Sequence, residues 1–228
     1  MDKRKLLKVM LTGLLGTASI CPAARGTWTR RADMPAPRST LCASVVDGKI
    51  YASGGGPGQD VVTTTVDRYD PETDSWTTKS SMHTPRAFFG TATVNGRVYA
   101  VGGYSSGGAR LASVEEYNPA TETWRPRADM PTKRGWLCVS ALNGKIYAIG
   151  GLPTTEVTGT VEAYDPVTDT RTPKADMPTQ RGGAAAASVD GKVYVIGGAV
   201  GNLHTPPLPI VEAYDPVTDT WTRKADMP

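Results

Sequence analysis

The sequence predicts an all-β chain assembled from four copies of one four-stranded module, and three recurring features predict it. Paired glycines fall at Gly54-Gly55, Gly102-Gly103, Gly150-Gly151 and Gly197-Gly198, spaced 48, 48 and 47 residues apart. The tyrosines Tyr69, Tyr117, Tyr164 and Tyr214 keep step, each followed by Asp-Pro or Asn-Pro. So does a tryptophan, at Trp28, Trp76, Trp124 and Trp221, with Arg171 in the slot that lacks it. A fixed period of about 50 residues means that each unit buries its faces only against its neighbours. Sheets stacked radially around an axis, a β-propeller, meet that requirement.

One repeat, read from Arg86, shows how each strand arises. Residues Ala87 to Val94 are small and largely apolar, which suits an innermost strand buried on both faces. Asn95-Gly96 is a two-residue hairpin turn with both residues at positive φ, and Asp47-Gly48, Asn143-Gly144 and Asp190-Gly191 repeat it. The second strand, Arg97 to Val101, ends at the double glycine, where the absence of a side chain lets neighbouring backbone approach. After a variable loop comes a third strand, Val114 to Tyr117. Asn118-Pro119-Ala120-Thr121-Glu122 then makes a turn, with Asn bonding its own backbone and Pro fixing φ. The outer strand runs from Trp124 to Met130.

Trp28–Met34 matches the outer-strand pattern as well, so the chain is expected to hold four complete blades plus one extra N-terminal outer strand. That count predicts a piece of a longer array, with at least one inner–second–third set following Pro228. The alternative is a small four-bladed ring with Trp28–Met34 packed loosely or swapped between molecules.

Composition narrows the function. The net charge is +3 over 228 residues, and no run of Lys or Arg lies beyond the first residues, which argues against nucleic-acid binding. Residues 1–27 begin with Lys3, Arg4, Lys5 and Lys8, continue apolar from Val9 to Ile20, and close on small residues around Cys21. This is the layout of a secretory signal peptide, so the chain is expected to be exported, periplasmic or extracellular, with residues 28–228 as the mature domain. The apolar run is too short for a permanent membrane helix, so no membrane span is expected in the mature chain. Cys42 and Cys138 occupy matching places two repeats apart and read as small buried hydrophobes. Two histidines, His83 and His204, cannot build a multi-histidine metal site, and no cofactor is expected. Asp165 with Asp169, and Asp215 with Asp219, read as turn caps in place of cation ligands.

From Trp28 to Pro228 the chain resembles the kelch repeat family, in repeats at about 38–85, 86–133, 134–180 and 181–228. The double glycines, Tyr-Asp-Pro, Trp, Met-Pro and Arg carry the resemblance in register. Departures are Arg171 for Trp, Asn118 for Asp, and Ser81-Met82-His83 for Asp-Met-Pro. The resemblance implies a kelch-type propeller with a ligand at the channel mouth. It points to the arginine opening each inner strand (Arg38, Arg86, Arg134 and Arg181), its follower (Ser39 in the first repeat) and the residue after the double glycine (Tyr104 in the second). Phe88 and Trp136 lie beside them in sequence.

An arginine ring would concentrate positive potential and suit carboxylates, with aromatic rings as a stacking wall. Equally, each arginine could tie the link before it to neighbouring carbonyls, a purely structural task. Glu115, Glu116, Glu162 and Glu212 on third strands are expected in salt bridges between blades. Copper chemistry of the galactose-oxidase type lacks its histidines here. The expected function is an exported, non-catalytic module binding a protein or glycan through the variable loops. The alternative is a carbohydrate-acting enzyme of the sialic-acid epimerase (mutarotase) type, for which Asp60 and Glu156 are the only carboxylates on those loops. Oligomeric state is left open.

Overall fold

The computed structural model describes residues 28–58, 61–201 and 206–228. The expected leader at 1–27, together with Asp60 and His204, lies outside the described residues. Within Ala32–Pro228 the strands form four antiparallel sheets of four, each in sequence order. The first holds β1 (Cys42–Val46), β2 (Lys49–Ser53), β3 (Val66–Asp70) and β4 (Ser75–Lys79). The second holds β5 (Gly90–Val94), β6 (Arg97–Val101), β7 (Val114–Asn118) and β8 (Thr123–Arg127). The third holds β9 (Cys138–Leu142), β10 (Lys145–Ile149), β11 (Val161–Asp165) and β12 (Thr170–Lys174). The fourth holds β13 (Ala185–Val189), β14 (Lys192–Ile196), β15 (Val211–Asp215) and β16 (Thr220–Arg223). This is the predicted all-β propeller of four complete blades.

The hairpins form as their sequences require. Asn95 and Gly96 have φ of 49° and 70°, and Val94 pairs with Arg97 across them. The inner strands start later than expected. In the second blade Phe88 has a φ of 50°, which breaks the pleat, so Ala87 forms only an isolated bridge to Tyr104 and the ladder begins at Gly90.

Three apolar clusters join consecutive blades. The middle one packs Ala92, Val94, Tyr99 and Val101 of the second blade against Leu137, Ile146, Ala148 and Tyr164 of the third. At each junction a second-strand tyrosine meets a third-strand tyrosine of the next blade: Tyr51–Tyr117, Tyr99–Tyr164 and Tyr147–Tyr214, with centroids 5.7, 6.0 and 5.8 Å apart. Met82, Met130 and Met177 fill the clusters from the links, as flexible thioethers do. The double glycine is required by close approach. The Gly103 amide donates to the Arg134 carbonyl of the next blade at 2.9 Å, and a Cβ on Gly102 would come within 2.7 Å of that same oxygen.

A second set of contacts ties the outer edges. Trp124 Nε1 donates to the Ser80 carbonyl of the preceding link, and Trp221 Nε1 to that of Ala175, both at 2.8 Å. Arg171, in the missing tryptophan's slot, donates through Nε and Nη2 to the equivalent Ala128 carbonyl. Its guanidinium also lies 4.6 Å from the Tyr164 ring centre, where the tryptophans stack on their own tyrosines. A planar donor with a π-stacking face serves for an indole.

The extra outer strand does not form. Residues 28–34 carry no strand, and among the described residues no third strand lies before them to supply a ladder partner. The end of that segment docks like a link instead. Trp76 Nε1 donates to the Ala32 carbonyl, and the Ala32 amide donates to Asp74, both at 2.9 Å.

One turn breaks its own pattern. Asp74, Asp169 and Asp219 accept from the hydroxyls of Tyr69, Tyr164 and Tyr214 at 2.6 Å. The second blade has Glu122 there, at a φ of 54°, and among the described residues the buried Tyr117 hydroxyl has no partner. Aspartate tolerates left-handed backbone better than glutamate and would restore the bond. Glu122→Asp should therefore stabilise the protein by about 1 kcal/mol, seen as a higher urea midpoint with an unchanged slope; a lower midpoint would refute the account.

Candidate functional site

The four arginines that open the inner strands do not ring the channel. Arg86 and Arg134 are 0 % exposed and Arg181 is 1 % exposed, and the Arg38 side chain is only 2 % exposed. Each guanidinium turns inward toward a carboxylate on its own blade's third strand. Arg38 meets Asp67 at 2.6 Å, Arg86 meets Glu115 at 2.7 Å, Arg134 meets Glu162 at 3.3 Å and Arg181 meets Glu212 at 2.5 Å. Backbone carbonyls complete the pockets. Arg86 Nη1 donates to Gly102 and Ser113, both at 2.9 Å, and Arg38 Nη1 does the same to Gly54 and Thr65. The structural role is the one the geometry gives these arginines. The third-strand glutamates therefore find their arginines within their own blades, a correction to the expected salt bridges between blades that follows from the inward rotamer of the arginine.

The pairs differ in quality. Burial would raise the Glu115 carboxyl, but Arg86 and the His83 amide, which donates to it at 2.7 Å, hold it below the ordinary value of 4.5. Burial wins at Glu162, which lies above that value because Arg134 makes no hydrogen bond to it and its Oε2 accepts none among the described residues, Arg171 lying 3.9 Å away. Arg86, Arg134 and Arg171 are all pulled below the ordinary arginine range, burial being the largest cause.

The channel mouth itself is apolar. The follower of each arginine bridges the residue after each double glycine: Ser39 with Gly56, Ala87 with Tyr104, Gly135 with Leu152 and Gly182 with Ala199. One residue further on, Thr40, Phe88, Trp136 and Gly183 sit at φ of 56°, 50°, 56° and 64°. Their backbones form an arc, in which the amides of Phe88, Trp136 and Gly183 each donate to the carbonyl of the preceding member at 2.8–3.2 Å. Left-handed backbone is uncommon for aromatic residues, and its repetition marks a position fixed by its surroundings.

This arc frames a cavity of about 550 Å³, lined by Thr40, Leu41, Phe88, Trp136 and Leu137 and by glycine, alanine and proline from the fourth blade, with no charged side chain in its wall. Phe88 lies between two other rings, 6.0 Å from Tyr104 edge-on and 5.7 Å from Trp136. Tyr104 rests on Gly135, where a Cβ would approach its ring to 2.1 Å. Arg110 covers that ring at 5.6 Å and anchors on the Leu152 and Thr154 carbonyls of the next blade's loop. Burial raises the Tyr104 hydroxyl despite the opposing pull of Arg110.

Of the residues expected to bind ligand, the structure brings Phe88, Tyr104 and Trp136 together. Ser39 lies beside Gly56 on the rim, and the arginines are withdrawn. Sequence reasoning missed Arg110, which carries no repeat signal, and Cys42, which lines the cavity. Burial pushes the Cys42 thiol up to about 12, and it donates to the Phe89 carbonyl, so it is no nucleophile. Glu156 is exposed on its loop and takes no part in the cavity wall. The aspartate turns are caps, Asp165 and Asp215 each accepting at 2.9 Å from the amide two residues on. Among the described residues, no three metal-ligating side chains gather and no helix is long and apolar enough to cross a membrane.

Fold and site together define a repeat propeller whose loop face opens on an apolar, aromatic-walled funnel. The Kelch motif matches at residues 37–83, 85–131, 137–178 and 180–228, and the chain belongs to the kelch repeat family. Among solved structures it is similar to YjhT, with a TM-score of 0.78 and 17 % identity, over 88 % of this chain and 74 % of that one. At that identity the likeness is one of fold. No curated protein sequence matches.

The opposite displacements of Glu115 and Glu162 give a pH signature. A carboxyl lowered in the folded state contributes stability that is lost as pH falls through its folded value, whereas a raised one loses stability as pH rises. As pH rises through the carboxylate range, Glu115→Gln should flatten the rise of unfolding free energy with pH, and Glu162→Gln should steepen it. Urea titrations across that window read both slopes, and parallel slopes would refute the assignment.

Proposed function

We propose that this chain is an exported, non-catalytic propeller that binds a protein or glycan through its loop face. The observation that carries the reading is the wall of Phe88 and Trp136 on an uncharged cavity of about 550 Å³, with Tyr104 packed edge-on behind Phe88. Aromatic rings of this kind take the apolar face of a sugar or an aliphatic or aromatic peptide side chain. A rigid scaffold with irregular loops on one rim is a common way to build such a surface. The arginine-to-carboxylate contact of the enzymatic alternative has little support, since every candidate guanidinium is already paired and buried. Export rests on the basic, then apolar, then small-residue order of residues 1–27.

The test is selection of a displayed random-peptide library and a neutral glycan array against the wild-type protein and Trp136→Ala. Binders whose affinity falls at least about tenfold in the variant, a loss of about 1.4 kcal/mol, support the reading. Equal affinity for both proteins would overturn it, and so would faster anomer exchange of N-acetylneuraminic acid by NMR in the presence of the chain.

A further inference from the structure

The first and fourth blades each leave one face without a neighbour among the described residues, and the two faces are opposite halves of the same junction. On the inner blades, the side of a sheet facing the next blade is buried: Tyr99 is 2 % and Val94 5 % exposed in the second. The matching residues of the fourth blade are open. Val189 is 53 % exposed, Met227 is 42 % exposed, and Tyr194 and Ile196 are half-buried. Across the junction, Leu137 and Ile146 of the third blade are buried beneath the second. Their first-blade counterparts Leu41 and Ile50 are half-buried, and Val45 is 58 % exposed. Arrays of repeats ordinarily carry a polar outer face on their end units. Both end blades here keep the apolar side chains of interior ones.

The matching extends to the links. Met82, Met130 and Met177 donate their amides to Thr64, Ala112 and Gly159, which sets each link for the next blade's indole or guanidinium. Met227 makes the same bond, to Pro209 at 2.9 Å, so the link at 224–228 is already in the receptive pose. Ala225-Asp226-Met227-Pro228 repeats Ala32-Asp33-Met34-Pro35 residue for residue, and the latter already occupies the first blade's Trp76 and Asp74.

The geometry points to a second copy of this chain as the occupant: the open face of the fourth blade packs head-to-tail on the open face of the first blade of another molecule. There the Ala225 link replaces the Ala32 link, and Met227, Val189 and Tyr194 cover Leu41, Val45 and Ile50. No new chemistry is needed, because the contact continues a junction formed three times within each chain. It is a heterologous interface, so each molecule has one socket and one plug.

The experiment is sedimentation and light scattering on the full chain over a wide concentration range. Wild type should show a mass at least twice that of one chain. Val45→Asp and Val189→Asp each place a carboxylate on an exposed position that bears no load within the blade. Both should remain folded by circular dichroism and run as single chains. Mixed, they should give a species of two chains and no more, since Val45→Asp keeps the plug and Val189→Asp keeps the socket. A wild-type protein that stays monomeric overturns the proposal, as would cover by some other partner. Variants that still associate, or a mixture that stays monomeric beside an associating wild type, overturn it equally.

Discussion

The fold depends on a buried arginine that belongs to two blades at once. Its backbone carbonyl receives the amide of the preceding blade's second glycine, from Gly55 to Arg86, Gly103 to Arg134 and Gly151 to Arg181. Its side chain turns into its own blade to meet a third-strand carboxylate and main-chain carbonyls. Burying such a pair is close to neutral in net terms, but removing one partner strands a charge in a dry interior, at a cost of about 3–5 kcal/mol. The arginine thereby fixes geometry more than it adds stability. It sets where the link, the glycine corner and the inner strand meet, and the cavity mouth lies one and two residues beyond.

Much of this was legible in the sequence. The period, the Asn-Gly and Asp-Gly turns, the glycine corners and the four-strand blade are local chemistry repeated at fixed spacing, so their placement follows from position alone. Phe88, Tyr104 and Trp136 were legible as a group because the repeat puts them at equivalent or adjacent rim positions. What spacing does not encode is the direction of a long side chain. Arg86 starts on the rim and points away from it, since Glu115 and the carbonyls of Gly102 and Ser113 offer acceptors inward to both of its terminal nitrogens. The outer strand expected at Trp28–Met34 failed for a related reason. Its residues suit a strand, but a strand is made by its neighbour, and among the described residues none pairs with it.

The irregular slots show how far the pattern tolerates exchange. Arg171 keeps both services of the tryptophan it replaces, a hydrogen bond to the link and a flat face on the tyrosine. Glu122 keeps neither service of its aspartate, and pairs with Lys79 at 2.5 Å instead. Chemical likeness is a poor guide to which exchange is silent. Planarity matters in the first case, and the length of one methylene in the second.

The aromatic arc carries a consequence for how this surface diversifies. Thr40, Phe88 and Trp136 occupy a backbone conformation that glycine adopts freely, and the fourth blade does have Gly183 there. Each side chain held in that region costs about 1 kcal/mol against glycine. The hydrogen-bonded arc involves only main-chain atoms, so the same frame accepts an indole, a phenyl, a hydroxyl or nothing at all. The side chains at the cavity mouth are thus an interchangeable set of pegs, and exchanging one leaves the disc that holds them undisturbed.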